Sequence, residues 1–400
     1  MSFLAEFNAL PVRSLVGRSL STTSNAVREC LAQSRFTIED FAQLISPAAG
    51  KFLEILGRRS HVLTRQRFGK VIRLFAPLYL SNECVNNCKY CGFSRDNPIL
   101  RVTLTVDEVL REARALKGQG FRNILLVAGE HPRFVSKDYL DECVRALHEE
   151  IPSISLEVGP METEDYRPIV EAGADGLVAY QETYDRAVYA EMHTAGPKRD
   201  FDWRLETPER AYAAGFRRLG LGALYGLSDW RLEAIGVAAH TNYLLRHCWK
   251  AQLTISLPRL RPCAGEFEPL TQISERELVQ LVCALRLMFP DVGLVLSTRE
   301  PAKLRDGLIP LGITMLSAGS HTEPGGYTGA GKEHIHQTVR GRIVERASGS
   351  SEWAPISARA TSATGQFEIA DERPPQEVAD LIRRLGYEPV WKDWDAALTA

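Results

Sequence analysis

The run Ser81-Asn82-Glu83-Cys84-Val85-Asn86-Asn87-Cys88-Lys89-Tyr90-Cys91-Gly92-Phe93 places three cysteines within eight residues, spaced C-x3-C-x2-C. It follows directly on an apolar run, residues 71–80. Thiolates are soft ligands that suit iron–sulfur clusters or zinc. Structural zinc normally closes its tetrahedron with four protein ligands. A fourth ligand would have to be a residue such as His131 or His61, and neither stands at zinc-finger spacing. A four-iron cluster held by three cysteines keeps one iron open to a substrate or cofactor. Cys84, Cys88 and Cys91 therefore read as the metal ligands of a catalytic site. A zinc- or cluster-binding module without catalysis is the alternative of a different class.

Working outward, the first seventy residues read as helical. Thr37-Ile38-Glu39-Asp40 is a capping signal ahead of 41–45, and Ser46-Pro47 opens a helix expected over 48–67, ended by Gly69. From residue 71 short apolar runs alternate with amphipathic stretches. The runs are 71–80, 123–128, 155–158, 176–180, 218–224, 252–257, 293–296 and 314–317; helical patterns lie at 105–118, 164–171, 208–214, 234–247 and 275–288. This alternation predicts parallel strands joined by crossover helices. About eight repeats over about 250 residues match a closed (β/α)8 TIM-type barrel. An open doubly wound sheet is the competitor, but no G-x-G-x-x-G turn follows the first strand.

The chemically loaded residues sit just after these runs. The cysteines follow the first, Gly129-Glu130-His131 the second and Gln181-Glu182-Thr183-Tyr184 the fourth. Glu157 lies near the end of the third. Arg259 and Arg261 follow the sixth, Ser297-Thr298-Arg299-Glu300 the seventh, and Ser317 and Ser320 close the eighth. In a barrel these ends meet at one rim, where such folds build active sites.

Composition narrows the function classes. With 48 basic and 50 acidic residues and no long basic tract, nucleic acid is not suggested. No apolar run approaches a membrane span. The N-terminus lacks a basic leader region, and a cytoplasmic location is the expectation. Eight cysteines in 400 residues are too sparse for a disulfide framework. Cys30, Cys143, Cys248, Cys263 and Cys283 are scattered; Cys143, Cys248 and Cys283 stand in helical patterns and read as buried. Cys263 reads as packing rather than as a ligand. Four parts are expected: a helical extension over 1–70, the barrel over 71–327, a flexible insertion rich in Gly, Ser, Ala and Thr over 328–370, and a C-terminal segment over 371–400. That last segment should carry a helix at 375–385, with Trp391 and Trp394 docking it on the barrel.

The cysteine loop, with its aromatic before the last cysteine, resembles that of radical S-adenosylmethionine (SAM) enzymes. The resemblance extends to Ala76-Pro77-Leu78-Tyr79-Leu80-Ser81-Asn82, Cys91-Gly92-Phe93-Ser94, Gly129-Glu130-His131, Tyr180-Gln181-Glu182-Thr183-Tyr184, Pro258-Arg259-Leu260-Arg261-Pro262 and Ser297-Thr298-Arg299-Glu300. Together these resemble the aromatic amino acid lyases of that superfamily, most of all the tyrosine lyases of thiamine thiazole synthesis. Leu63-Thr64-Arg65-Gln66-Arg67-Phe68-Gly69 and Trp391-Lys392-Asp393-Trp394-Asp395 are similar too, so the resemblance spans about 35–325 and 371–395. The insertion at 328–370 departs from it.

The resemblance implies a [4Fe-4S] cluster whose open iron chelates S-adenosyl-L-methionine. Its reductive cleavage gives methionine and a 5′-deoxyadenosyl radical, which takes hydrogen from the amino group of L-tyrosine. Breaking Cα–Cβ then yields 2-iminoacetate and 4-cresol. A tryptophan lyase, or another radical SAM enzyme of aromatic amino acids, is the alternative. By the same resemblance Tyr90 packs near the adenine, Gly129 and Glu130 meet the amino group of the cofactor, and Glu182 and Arg204 clamp its nucleoside and methionine parts. Core packing for Tyr90, a plain turn for Gly129 and a surface salt bridge for Arg204 are the bland readings. Arg299 offers a two-donor fork to the substrate carboxylate, and Tyr79 and Ser317 line the same pocket. Either Arg259 or Arg261 braces the rim. His131 or Glu157 is the candidate proton acceptor. The implied partners are a thiazole synthase and a reducing donor such as flavodoxin or ferredoxin. The related lyase of hydrogenase maturation carries a second, C-terminal cysteine motif; no cysteine follows Cys283 here, and one cluster is expected.

Overall fold

Alternation of apolar strands with capped amphipathic helices builds the expected barrel. The computed structural model describes residues 2–344 and 362–391. Eight parallel strands close a ring: β1 (Val71–Ser81), β2 (Asn123–Ala128), β3 (Ser153–Glu157), β4 (Gly176–Val178), β5 (Arg218–Gly222), β6 (Gln252–Ser256), β7 (Gly293–Leu296) and β8 (Met315–Ser317). The ring closes where Arg73, Leu74 and Phe75 of β1 pair with Met315, Leu316 and Ser317 of β8. An open doubly wound sheet is thereby excluded.

The strands end slightly earlier than the apolar runs at 176–180 and 218–224. Tyr180 and Leu224 have already turned into the rim, where Gln181 donates to the Gly222 carbonyl and Leu224 to that of Glu182. The crossover helices start at strong caps. Thr105 with Glu108, and Ser274 with Glu277, form reciprocal capping boxes. Their apolar faces pack on the outer face of the ring, in the main core. Inside the ring a separate apolar group, Phe75, Leu125, Val127, Val295 and Met315, lies beneath the rim.

The first seventy residues are helical, as expected. Thr37 and Asp40 form a capping box. The helix expected over 48–67 begins with a 3-10 turn, Ala49–Phe52, before the α-helix Leu53–Phe68. The Ser46 hydroxyl accepts from Ala49 N–H at 3.0 Å and tightens that entry. This extension docks on the barrel through Gln280, whose side chain donates to the carbonyls of Leu44 and Ser46, and through Phe3, stacked on His240 at 4.0 Å.

The stretch expected as a flexible insertion over 328–370 is structured wherever it is described. Its first part forms an antiparallel hairpin, β9 (His336–Val339) and β10 (Arg342–Val344), with β9 paired to the short strand Ile99–Arg101. Its last part, 362–370, crosses the barrel mouth. The C-terminal helix Pro375–Arg384 leads into β11 (Glu388–Val390), which pairs with the start of β1. Trp391 meets Phe121 edge-on at 5.1 Å. Trp394 lies outside the described residues.

Candidate active site

The cysteine loop leaves the end of β1 and is pinned from several sides. Buried Arg101 donates from its guanidinium to the carbonyls of Asn82, Phe93 and Ser94 and to the Thr338 hydroxyl of β9. The Asn86 side chain donates to Glu130 Oε2 at 2.6 Å and accepts from the Lys198 N–H at 2.9 Å. Gly129 donates to the Ser81 carbonyl, and a Cβ on it would sit 2.3 Å from the Glu83 carbonyl oxygen. That close approach requires glycine. The approach is to the cysteine loop itself, and so has a structural use beyond a plain turn.

The three thiols share one neighbourhood. Cys84 and Cys91 lie against Tyr79, Phe93 and Val127, and Cys88 and Cys91 against Tyr90, Met192 and Leu224. All three are free. Burial pushes the Cys84 and Cys88 thiols up, and each is pushed further by Cys91 nearby. Such thiols ionise when a metal displaces their protons. Among the described residues no three His, Cys, Asp or Glu side chains close around a single ion. A cluster of several irons spreads its ligands wider than one ion does, and a three-thiolate donor set suits iron–sulfur chemistry. The residues fit that group.

On one flank lies a charged group. Glu182 is buried and takes a positive φ of 69°, a backbone state that disfavours side-chain-bearing residues by roughly 1–2 kcal/mol. Its Oε1 accepts from Lys198 Nζ at 2.7 Å and Arg204 Nη2 at 3.4 Å. Burial alone would raise its pKa, but the two cations outweigh it and hold the carboxyl below its ordinary value. Arg204 also donates to the Tyr180 carbonyl at 2.6 Å, and its side chain is only 10% exposed, so the surface salt bridge is excluded. Tyr90 donates its hydroxyl to His193 Nε2 at 2.7 Å, since His193 Nδ1 donates to the Tyr189 carbonyl at 2.8 Å, and Lys198 lies over the Tyr90 ring. Burial drives His193 down to about 3, so it is neutral and its ring serves as a packing and hydrogen-bonding group.

On the other flank a cavity opens, lined by Tyr79, Glu157, Tyr180, Ser256, Arg299, Ser317, Gln366 and Phe367 among others. Arg299 lays its guanidinium on the Phe367 ring, 3.3 Å from the centroid. Among the described residues no carboxylate pairs with it. Ser317 Oγ accepts from the Thr298 N–H at 3.1 Å. Tyr180 donates to Ser256 Oγ at 3.1 Å. Burial, with Glu182 nearby, raises the Glu157 carboxyl to about 7. Tyr79 donates to Gln366 Oε1 at 2.8 Å, and burial pushes its phenol well up.

The structure thus brings the three cysteines, Tyr79, Tyr90, Gly129, Glu130, Glu182, Arg204, Arg299 and Ser317 to one end of the barrel. It also separates the open pairs. Glu157 lines the cavity, whereas His131 caps its own turn, accepting at Nδ1 from Arg133 and Phe134. Arg259 forms a two-point pair with Glu300 and braces the rim, while half-buried Arg261 donates to the Glu368 carbonyl at 3.5 Å. Cys263 donates from Sγ to the Tyr90 carbonyl at 3.3 Å. Sequence reasoning missed Lys198, Asn86, Gln366 and Phe367. Asn86 stood within the quoted cysteine run, but Lys198 carries no motif, and Gln366 and Phe367 lie in the stretch read as flexible.

Comparison with known proteins agrees with this geometry. Residues 78–236 match the radical SAM superfamily, and residues 256–388 the Biotin and Thiamin Synthesis associated domain. The chain is 43% identical over 377 residues to the 2-iminoacetate synthase of Escherichia coli K12, covering 94% of this chain and 92% of that one. A crystal structure of HydG, a maturase of the [FeFe]-hydrogenase, superposes with a TM-score of 0.83 at 30% identity, covering 97% of this chain and 80% of that one. The crystal structure of methylornithine synthase (PylB) shares the fold at 21% identity and a TM-score of 0.67, covering 91% of this chain and 97% of that one.

Proposed function

The chain belongs to the 2-iminoacetate synthase family of radical SAM enzymes, and from that premise we propose that it cleaves the Cα–Cβ bond of L-tyrosine to 2-iminoacetate and 4-cresol, supplying the thiazole ring of thiamine. The observation that carries this reading is the Arg299 guanidinium, which pairs with no carboxylate among the described residues and lines a cavity whose wall, Tyr79, touches the cysteine loop.

Cys84, Cys88 and Cys91 would hold a [4Fe-4S] cluster, and Glu130, Glu182, Arg204 and Tyr90 would hold S-adenosylmethionine beside it. When bound, that pair supplies one electron and a hydrogen-abstracting carbon radical. The protein residues do the rest. Lys198 and Arg204 keep Glu182 ionised, so its Oε2 can accept from hydroxyl groups. Arg299 takes the amino acid carboxylate through its planar fork, with Ser317 beside it. Stacking on Phe367 holds the guanidinium plane in place. The apolar floor of Phe75, Leu125, Val295 and Met315 receives the substrate ring and excludes water. Glu157, its carboxyl raised to about 7 and lining the cavity, is the proposed acceptor of the substrate proton. The product imine hydrolyses in water, so handing it directly to a thiazole synthase is chemically sensible, and flavodoxin or ferredoxin is the proposed electron source.

Anaerobically reconstituted, reduced protein is tested with S-adenosylmethionine and either tyrosine or tryptophan. The proposal expects 4-cresol from tyrosine and no cleaved product from tryptophan. Cleavage of tryptophan without 4-cresol formation would favour the alternative lyase.

A further inference from the structure

The irregular crossing at 362–371 is tied down at both ends. Thr364 N–H donates to the Leu100 carbonyl at 2.9 Å, and its own carbonyl accepts from the Asn82 side chain at 3.0 Å. Glu368 N–H donates to the Pro262 carbonyl, and Ala370 and Asp371 N–H both to that of Thr298. Between these anchors the strap passes directly over the last cysteine.

Gln366 stands at that crossing. Its carbonyl accepts from Gly92 N–H at 3.1 Å and its N–H donates to the Thr322 carbonyl at 2.9 Å. A Cβ on Gly92 would lie 2.5 Å from the Gln366 carbonyl oxygen, so glycine after Cys91 is what lets the strap approach. The Gln366 side chain then reaches two ways. Oε1 accepts from the Tyr79 hydroxyl at 2.8 Å, and Nε2 faces Cys91 Sγ at 3.9 Å. The chemistry fixes this orientation, because a metal-bound thiolate is an acceptor and takes only the N–H side of the amide. The neighbouring residue, Phe367, lies under Arg299.

We infer that Gln366 is a positioning residue that joins the cysteine loop to the substrate cavity: its side-chain N–H bonds the Cys91 sulfur while its side-chain oxygen holds the Tyr79 hydroxyl. The inference rests on the reading that the three cysteines hold an iron–sulfur cluster. Two consequences follow. A hydrogen bond to a ligand sulfur stabilises the more negative, reduced cluster and raises its reduction potential. Holding Tyr79 fixes the cavity wall beside the cysteine loop, and so would fix how the substrate is held there.

Two variants separate these effects. Gln366→Glu keeps the shape and an oxygen for Tyr79 but loses the N–H donor. Gln366→Leu loses both. Iron and sulfide content checks loading, and an electron-paramagnetic-resonance redox titration without substrate reads the potential. Both variants are expected to keep the cluster and to titrate at a more negative potential than the parent. With tyrosine, Gln366→Leu is expected to form several-fold more 5′-deoxyadenosine per 4-cresol, while Gln366→Glu stays near the parent ratio. An unchanged potential in both variants would overturn the inference. So would an unchanged ratio in Gln366→Leu, or loss of iron from both. If the parent protein itself makes no 4-cresol, the substrate reading fails, yet the substrate-free titration still decides the sulfur bond.

Discussion

Arg299 and Glu157 face each other's field across the cavity, and their surroundings set their roles. The Arg299 guanidinium rests on an aromatic ring and has no described carboxylate partner, and the substrate carboxylate is the partner proposed for it. A charge-assisted bond of this kind contributes about 1.5–3 kcal/mol. Arg299→Ala is therefore expected to lower tyrosine kcat/KM by roughly 10- to 100-fold or more while iron content stays at the parent level; turnover that survives would remove the carboxylate role. Glu157 carries a carboxyl raised to about 7 by burial and by Glu182. A base works only when ionised, so activity should rise as pH passes about 7. In Glu157→Gln that acid limb should vanish along with most turnover, as read from the pH profile of 4-cresol formation. The cysteines, Glu182 and Arg299 were legible because each follows an apolar run and carries a distinctive chemical group, whereas Glu157, inside the end of a run, was legible only as an alternative to His131. Lys198 was not legible. Its meaning comes only from its burial against Glu182, and nothing in Gly196-Pro197-Lys198 marks that contact.

Among the elements, the strands and helices were legible where periodicity and caps agree, as at Ser274–Glu277 and in 275–288. The hairpin β9–β10 was not. Arg342, Ile343 and Val344 are exposed, so no alternation of buried and exposed positions marks the strand. The strap was hidden for a related reason: it is held by main-chain bonds to Leu100, Pro262 and Thr298, which any residue type can make. Composition alone therefore read it as a linker. Arg101 shows how far the cysteine loop depends on such distant support, since one buried guanidinium serves three of the loop's carbonyls and one hydroxyl of β9. Arg101→Met should leave those carbonyls without a partner, at about 1–3 kcal/mol each for those that stay buried. Urea unfolding of the metal-free protein should show a loss of at least about 1–3 kcal/mol, one carbonyl's worth, and a chelator should strip iron faster from the reconstituted variant. Equal iron-release rates would show that the loop holds its shape alone.

At the scale of the whole molecule, the ring β1–β8 is closed by its own strand pairing, and the C-terminal segment locks onto it through charge. Arg305 and Asp371 form an ion pair with side chains only 1% exposed, and Arg373 bridges Asp371 to Asp306. Removing one member of a buried pair costs about 3–5 kcal/mol, so Asp371→Ala should lower unfolding stability by that order. Burial alone would raise the Asp371 carboxyl, but Arg373 and Arg305 outweigh it and hold it below its ordinary value. Its folded pKa lies below the unfolded one, about 3.9. Its contribution is therefore present above that pH and is lost as pH falls through the folded value. Asp371→Asn should accordingly flatten the acid side of the stability profile. No described helix is long and apolar enough to cross a membrane. The barrel thus brings a cysteine loop, the Arg299 guanidinium and a strap from the far end of the chain to one mouth. Carbon–carbon cleavage of tyrosine at that mouth is the central claim. The most direct test feeds reduced, reconstituted protein L-tyrosine labelled with carbon-13 at Cα and follows the label by NMR. The account predicts label in glyoxylate, the hydrolysis product of 2-iminoacetate, with an equal amount of unlabelled 4-cresol. Label found only in tyrosine, or in a product that keeps its Cα–Cβ bond, would contradict it.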